Sequence, residues 1–397
     1  MTDSIADPVV IVGAARTPMG SFQGEFSSLA AHDLGGVAIK SAVARAGVSV
    51  ELVDEVLFGN CLMAGQGQAP ARQAAFKGGL PISAGAVTLS KMCGSGMRAA
   101  MFGHDMLLAG SADVVVAGGM ESMTNAPYLL QKARGGYRIG HDRVMDHMML
   151  DGLEDAYEAG RSMGTFGEDC AAKYGFTREQ QDQFAITSVQ RAQAATKSGA
   201  FAAEITPVTV KGRAGDTVIS TDEAPGKVKL EKIPTLKPAF KKDGTITAAS
   251  SSSISDGAAA LVMMRASTAA KMGLTPLARI VSHAVHAQEP NWFATAPIGA
   301  VNKVLAKAGW SVGDVDLWEV NEAFAVVPMA LMHDLKLSHD IVNVNGGACA
   351  LGHPIGCSGA RIMVTLMYAL QARGLKKGVA TLCIGGGEGT AVALEML

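Results

Sequence analysis

Short apolar, β-branched runs bounded by Gly or Pro alternate with longer segments whose apolar residues recur at helical spacing, and this alternation occurs twice along the chain. In the first pass, 9–13, 55–58, 87–91 and 113–117 read as strands. Ser95–Leu108 reads as a helix, with Met97, Ala100, Met101, His104, Leu107 and Leu108 on one stripe. In the second pass, 278–282, 317–319, 342–345 and 378–383 are the matching strands and 361–372 the matching helix. Between about 123 and 253 the alternation stops. Met-rich turns, a helix near Arg178–Ser198 and a basic segment take its place.

The two passes are related in detail. Ala46-Gly47-Val48-Ser49 recurs as Ala308-Gly309-Trp310-Ser311, displaced by 262 positions. Ser95-Gly96-Met97-Arg98 recurs as Ser358-Gly359-Ala360-Arg361 at 263, and Gly118-Gly119-Met120-Glu121 as Gly385-Gly386-Gly387-Glu388 at 267. Three matches in one order at nearly constant displacement indicate two copies of one fold. The class is α/β, and repeated βα units predict mixed, largely parallel sheets covered by helices. The expected division is 1–122 with 254–276 as one half, 277–397 as the other, and 123–253 as an insertion lying over the functional site.

Composition narrows the class of function. Apolar residues at 48 % and charged residues at 18 % suit a large globular core, and a net charge of −2 lacks the basic excess that nucleic-acid binding requires. Six dispersed cysteines are too few for a disulfide scaffold and fit a reducing compartment. No apolar run reaches the roughly 18–20 residues that span a bilayer, and residues 1–8 show no export signal. A cytoplasmic protein is expected, with neither membrane nor nucleic acid as partner.

Four segments carry chemistry. Met92-Cys93-Gly94-Ser95-Gly96 sets a Cys between a buried strand and a helix, where helix-terminal N–H groups favour the thiolate; a lone Cys is also commonly just a small buried residue. Gly352-His353-Pro354-Ile355-Gly356 holds a His in a restricted loop before a helix, suited to act as base toward a thiol. Cys383-Ile384-Gly385-Gly386-Gly387-Glu388 ends the last long strand of the second half. It offers a second thiol beside free backbone N–H groups that can hold an oxyanion, or simply a glycine turn. Asn321-Glu322-Ala323-Phe324 follows a strand, where an Asn can fix a water or orient a His, or act as an ordinary N-cap.

Together and in this order these segments resemble the thiolase family over nearly the whole chain, on its short-chain biosynthetic side. Arg16-Thr17-Pro18, Gly65-Gln66-Gly67-Gln68 and Asp256-Gly257-Ala258 carry the likeness further. The resemblance implies a layered αβαβα core of two halves with an inserted loop domain, and a reversible Claisen condensation of acetyl-CoA with a second acyl-CoA. It implies that Cys93 accepts the acyl group, that His353 activates Cys93, and that Cys383 moves the α-carbon proton. One oxyanion hole would come from His353 with a water held by Asn321, the other from the N–H groups of Cys93 and Gly385. No permanent cofactor is implied; coenzyme A and its thioesters are the substrates. The insertion carries eight basic and four acidic residues between Lys211 and Lys242, a local excess suited to a phosphate-bearing ligand. By resemblance Ser252 meets the pantetheine arm and Lys227 lies near the adenine. Residues 122–164 resemble a loop that assembles tetramers, with a dimer the minimum expected.

The sequence departs from the family's pattern at identifiable places. Ser162 stands where a His is usual in the acyl pocket, while Met163 keeps the short-chain signature. Glu388 is acidic beside Cys383 and would raise its pKa if it pointed inward. Cys349, His353 and Cys357 could be taken for metal ligands, but Pro354 and the glycines break the helix such spacing needs and no fourth ligand is apparent, so no metal site is read. The remaining alternatives are a medium-chain degradative thiolase, a β-ketoacyl synthase, a Cys–His–Asn hydrolase and a non-catalytic thiolase-like CoA-binding protein. The last would be expected to lack one of Cys93, His353 and Cys383.

Overall fold

The computed structural model describes residues 7–213 and 215–397; the segment 1–6, where no export signal is read, lies outside the described residues. The first half contains β1 (Val9–Arg16), β2 (Gly20–Ser21), α1 (Ala31–Ala46), β3 (Glu55–Gly59), α2 (Pro70–Lys77), β4 (Gly85–Leu89), α3 (Ser95–Leu108) and β5 (Val114–Ser122). Small hairpins β6 (Tyr128–Leu129) with β7 (Met145–Asp146) and β8 (Val208–Val210) with β9 (Thr217–Ile219) flank α4 (Met163–Tyr174) and α5 (Arg178–Ser198). The chain then re-enters the core with β10 (Ser255–Arg265) and α6 (Ala266–Lys271). It continues through β11 (Ala278–Ala287), α7 (Ala296–Ala308), β12 (Leu317–Val320), α8 (Val326–Leu335), α9 (Ala348–Leu351), α10 (Ile355–Arg373), β13 (Lys377–Ile384) and β14 (Glu388–Met396).

The internal repeat is visible in strand order. One half runs β4-β3-β5-β10-β1 and the other β12-β13-β14-β11, joined where β1 meets β11 over two residue pairs. The stretch 342–345, expected as a strand, contributes only a single parallel bridge from Val342 to Trp318, at the place corresponding to β4. The sheet is also not largely parallel. Only β3–β4, β3–β5 and β12–β13 are parallel, while β10 and β14, the Ala-rich strands not anticipated from the sequence, enter antiparallel. Between β13 and β14 the chain turns in three glycines; between β5 and β10 it passes through 123–254. The insertion therefore occupies, in one copy, the position of a tight turn in the other.

The layers follow from which faces are apolar. Helices α3 and α10 form the central layer, with Met97, Ala100, Met101 and Leu107 packed against Met363, Leu366, Met367 and Leu370 and against strands of both halves. Burial of α10 on nearly every side explains why its sequence lacks a polar face. Helices α1 and α2 cover the outer face of the first half's strands and α7 and α8 that of the second half's, completing an αβαβα stack. The two central helices cross closely. A Cβ at Gly359 would stand 2.4 Å from the Met97 nitrogen, so the repeated Ser-Gly pairs lie where backbone meets backbone.

The insertion is fastened to the core by Arg16, fully buried, whose guanidinium donates to Glu204 at 2.6 Å and to Asp222 at 2.7 Å. Apolar side chains at the β6–β7 hairpin stand in solvent, Tyr128 and Ile139 among them. No helix among the described residues is long and apolar enough to cross a membrane.

Candidate active site

A chamber of about 60 Å³ is lined by Cys93, Ser252, Phe324, His353, Gly385 and Met163, with Met92, Leu153 and Ile355 completing its wall. Both halves and the insertion therefore converge on it. Cys93 precedes α3 in a loop held from two sides. The Lys91 amide donates to Ser95 Oγ at 2.8 Å, and Ser95 Oγ donates to the Met92 carbonyl at 2.6 Å. Met92 itself adopts φ +47°, a left-handed conformation costly for a non-Gly residue and tolerated only where the surroundings enforce it. The strand leading in, β4, is a half-exposed edge strand, not the buried strand expected. Gly94 packs against the second half, where a Cβ would come within 2.4 Å of Ile384 Cδ1. That close approach seats Cys93 beside the end of β13.

Electrostatics correct one expectation. Cys93 keeps a partly open surface at the chamber, yet the protein around it pushes its thiol up to about 11. The N–H groups of Gly385 and of Cys93 itself pull the other way and do not overcome burial. The helix end alone does not deliver a thiolate, and a base must remove the proton.

His353 lines the same chamber. Ser358 Oγ donates to the Pro354 carbonyl at 3.0 Å and lies 2.5 Å from His353 Nδ1, so Nδ1 carries the proton and Nε2 keeps its lone pair. Asn321 Nδ2 approaches Nε2 at 3.4 Å. Asn321 is fully buried, and its Oδ1 meets no protein donor among the described residues. It is not an N-cap, since α8 begins only at Val326. Burial, with Arg361 adding to it, depresses the imidazole to about 3, so His353 is neutral in the resting protein.

This has a consequence for stability. The folded value lies below the ordinary 6.5, so below pH 6.5 the unfolded chain takes up a proton that the folded chain refuses. The stabilisation is complete above pH 6.5 and drains away as pH falls toward the folded value, at about 1.4 kcal/mol per unit. His353→Gln should therefore lose about 2 kcal/mol less than wild type between pH 6.5 and 5 in urea unfolding. Equal losses in the two proteins would show that His353 is not held neutral.

Cys383, near the end of β13, is fully buried. Burial raises its thiol well above the ordinary value, and Cys93 is the neighbouring group that raises it further. Glu388 does not act on it; its carboxylate pairs with Lys91 across the two halves. Ser252 reaches the chamber because its amide donates to the Ala323 carbonyl at 3.0 Å, while the His353 amide donates to the Ser253 carbonyl at 3.0 Å. Ser253, next in the chain, lines a separate groove of about 480 Å³ with Lys227, Lys229, Lys232 and Cys349, which gathers three of the insertion's lysines. The other basic residues of 211–242 lie elsewhere; Lys211 is bound to Asp216 at 2.5 Å. Ser162, expected in the acyl pocket, is absent from the chamber wall and instead precedes α4. Cys349, His353 and Cys357 do not converge as metal ligands.

Two supporting carboxylates carried no role in the sequence reading. Glu322 accepts from Ser188 Oγ at 2.7 Å, Asn343 Nδ2 at 2.8 Å and the Cys349 amide at 2.9 Å, locking the Asn321 loop to the loop that leads into His353. Glu121 accepts from the amides of Cys61, Leu62 and Gly356, at 2.9, 3.1 and 2.9 Å, tying the start of α10 to the first half. Their signal in the sequence was an acidic residue inside a largely apolar run. That pattern marks a buried carboxylate in need of N–H donors.

Comparison with known proteins agrees along the full length. A family model for the thiolase N-terminal domain matches residues 9–267 and one for the thiolase C-terminal domain matches 274–396. An acetyl-CoA acetyltransferase of Rhizobium meliloti is 50 % identical over 390 residues, covering 98 % of this chain and 99 % of the relative. Acetyl-CoA acetyltransferase 2 of Arabidopsis thaliana is 50 % identical over 392 residues, covering 98 % and 97 %. The solved acetyl-CoA acetyltransferase of Syntrophomonas wolfei superposes with a TM-score of 0.95 at 43 % identity, covering 98 % of this chain and all of that one.

Proposed function

The chain belongs to the thiolase family, and from that premise we propose that it is an acetyl-CoA acetyltransferase, condensing two acetyl-CoA to acetoacetyl-CoA and running the reverse thiolysis. The observation that carries this reading is the chamber itself. A thiol, a neutral imidazole with a free Nε2 and the Gly385 amide face one space, with a second thiol behind it. His353 takes the Cys93 proton as Cys93 Sγ attacks the thioester carbonyl. The N–H groups of Cys93 and Gly385 hold the oxyanion, Cys383 gives its proton to the departing coenzyme A sulfur, and the acyl-enzyme forms. The Cys383 thiolate then takes the α-proton of the second acetyl-CoA while protonated His353 and a water on Asn321 Oδ1 stabilise the enolate. The carbanion attacks the Cys93 thioester, and the released Cys93 thiolate recovers its proton from His353.

The relatives named acetyl-CoA acetyltransferase, matched along the whole chain, support short acyl groups. The groove beside Ser253 and Lys227 is the path we assign to pantetheine and the phosphates. We take 1–122 with 254–276 and 277–397 as the two halves and 123–253 as the insertion that binds coenzyme A. The half-exposed edge strand β4 and the apolar β6–β7 hairpin support a homo-oligomer, a dimer at least and a tetramer by the hairpin. All six cysteines are free, which fits a reducing cytoplasm.

The test is thiolysis of acetoacetyl-CoA and 3-ketohexanoyl-CoA side by side. A kcat/KM at least about 10-fold higher for the four-carbon substrate is expected, since each extra methylene that does not fit costs about 1–3 kcal/mol. Preference for the six-carbon substrate would move the protein to the medium-chain class.

A further inference from the structure

At the far end of α3 from Cys93, two histidines and an aspartate bring three donor atoms to one point. His104 Nδ1 is 3.1 Å from Asp105 Oδ1, His283 Nε2 is 2.9 Å from the same oxygen, and the two ring nitrogens are 3.2 Å apart. The rings stand perpendicular, with centroids 4.9 Å apart. His104 is buried, His283 nearly so, and Asp105 is half exposed, so the triangle has a dry side and a wet one.

Hydrogen bonding alone serves this arrangement poorly. Each neutral imidazole brings one ring proton. If both protons point at Asp105, the close N···N contact sets two N–H dipoles against each other; if one points at the other ring, Asp105 loses a donor. A single cation at the centre satisfies all three lone pairs. With ligand bonds of about 2.0–2.2 Å, donor separations of this size subtend roughly 85–105° at the ion, the angle between three neighbouring corners of an octahedron.

We propose that His104, Asp105 and His283 form a binding site for a divalent first-row transition metal, with zinc as the ion to test. The nearby Lys307 does not occupy the centre, since its Nζ donates to the His283 carbonyl at 3.0 Å. His104 and Asp105 come from the first half and His283 from the second, so a bound ion would staple α3 to β11. It would lie about 14 Å along the helix from the start of α3, outside the chemistry at Cys93. The remaining coordination positions face solvent and would hold water.

The experiment uses full-length, untagged protein stripped with a chelator. It reads zinc affinity by competition with a chromophoric chelator, and cobalt(II) absorption as a probe of ligand type. Wild type should hold one ion per chain, with cobalt showing weak d–d bands and no intense thiolate charge-transfer band. Asp105→Asn and His283→Gln, both at partly exposed positions, should each weaken binding beyond the roughly 10–100-fold that loss of an outer-shell partner costs. Zinc should raise the melting temperature of wild type and not of the variants. Failure of wild type to retain an ion, binding unchanged in both folded variants, or a strong thiolate band placing the ion on cysteines would each overturn the proposal.

Discussion

Cys93→Ser should leave a folded protein whose thiolysis of acetoacetyl-CoA is reduced by roughly 10⁴-fold or more. The substitution keeps the shape of the side chain, so the loop held by Ser95 and the close contact of Gly94 with Ile384 are undisturbed. What changes is the chemistry. Burial pushes the Cys93 thiol up to about 11, so it gives its proton to His353 only as its sulfur bonds to the carbonyl. A serine hydroxyl is a far weaker acid and, once acylated, would form an ester that is less activated toward the second carbanion. Mass spectrometry of the intact protein after incubation with acetyl-CoA checks the same point independently. Wild type should gain an acetyl adduct that hydroxylamine removes, and the variant should gain none. A variant with activity within tenfold of wild type, or one that still acquires the labile adduct, would place the nucleophile elsewhere.

The parts of the fold that could be read from sequence are those set by local periodicity. Helix Ser95–Leu108 has an apolar stripe flanked by polar positions, and helix Arg178–Ser198 opens on Thr177 with Gln180 in a capping box. Strands β10 and β14 escaped because they are buried on both faces. An Ala-rich run such as Gly257 to Leu261 shows no alternation from which a strand is recognised. The antiparallel majority was hidden for a related reason. Pairing between β10 and β5, or β14 and β13, joins segments whose mutual orientation depends on the whole topology, and the insertion separates the first pair by more than a hundred residues. At the site, Cys93, His353, Cys383 and Asn321 stood out by their setting. The state of the Cys93 proton did not, because a helix-end argument counts one favourable dipole and cannot count the burial that outweighs it.

The duplication also explains how the site is supported. Ser95 and Ser358 are equivalent in the two copies, one at the start of α3 and the other in the first turn of α10. Ser95 Oγ bonds the Met92 carbonyl and steadies the loop carrying Cys93. Ser358 Oγ bonds the Pro354 carbonyl and fixes the tautomer of His353. One structural device, a serine hydroxyl turned back onto the preceding loop, has thus been given two chemical uses. Neither use was visible from the serines alone, since each depends on where a backbone carbonyl two turns or fewer upstream happens to point.

Cys383→Ala should separate the two halves of the reaction. Acetylation of Cys93 by acetyl-CoA draws on Cys93, His353 and the N–H groups of Cys93 and Gly385, all of which the substitution leaves in place, and without Cys383 the departing coenzyme A sulfur takes its proton from water. It should proceed within about tenfold of wild type. Carbon–carbon bond formation requires removal of an α-proton, and cleavage requires its return; both should fall by roughly 10²–10⁴-fold, the usual contribution of a positioned general base or acid. The direct readout is exchange of acetyl-CoA α-protons with deuterated water, which wild type should catalyse and Cys383→Ala should not. A purely structural role for Cys383, the ordinary fate of a thiol this deeply buried, would give a different pattern. Acetylation, exchange and thiolysis would then decline together, in proportion to lost stability. Only the combination of preserved acetylation with lost exchange assigns the proton to Cys383. Exchange that persists at the wild-type rate would give the proton to another group, with His353, which lines the chamber, the first to examine.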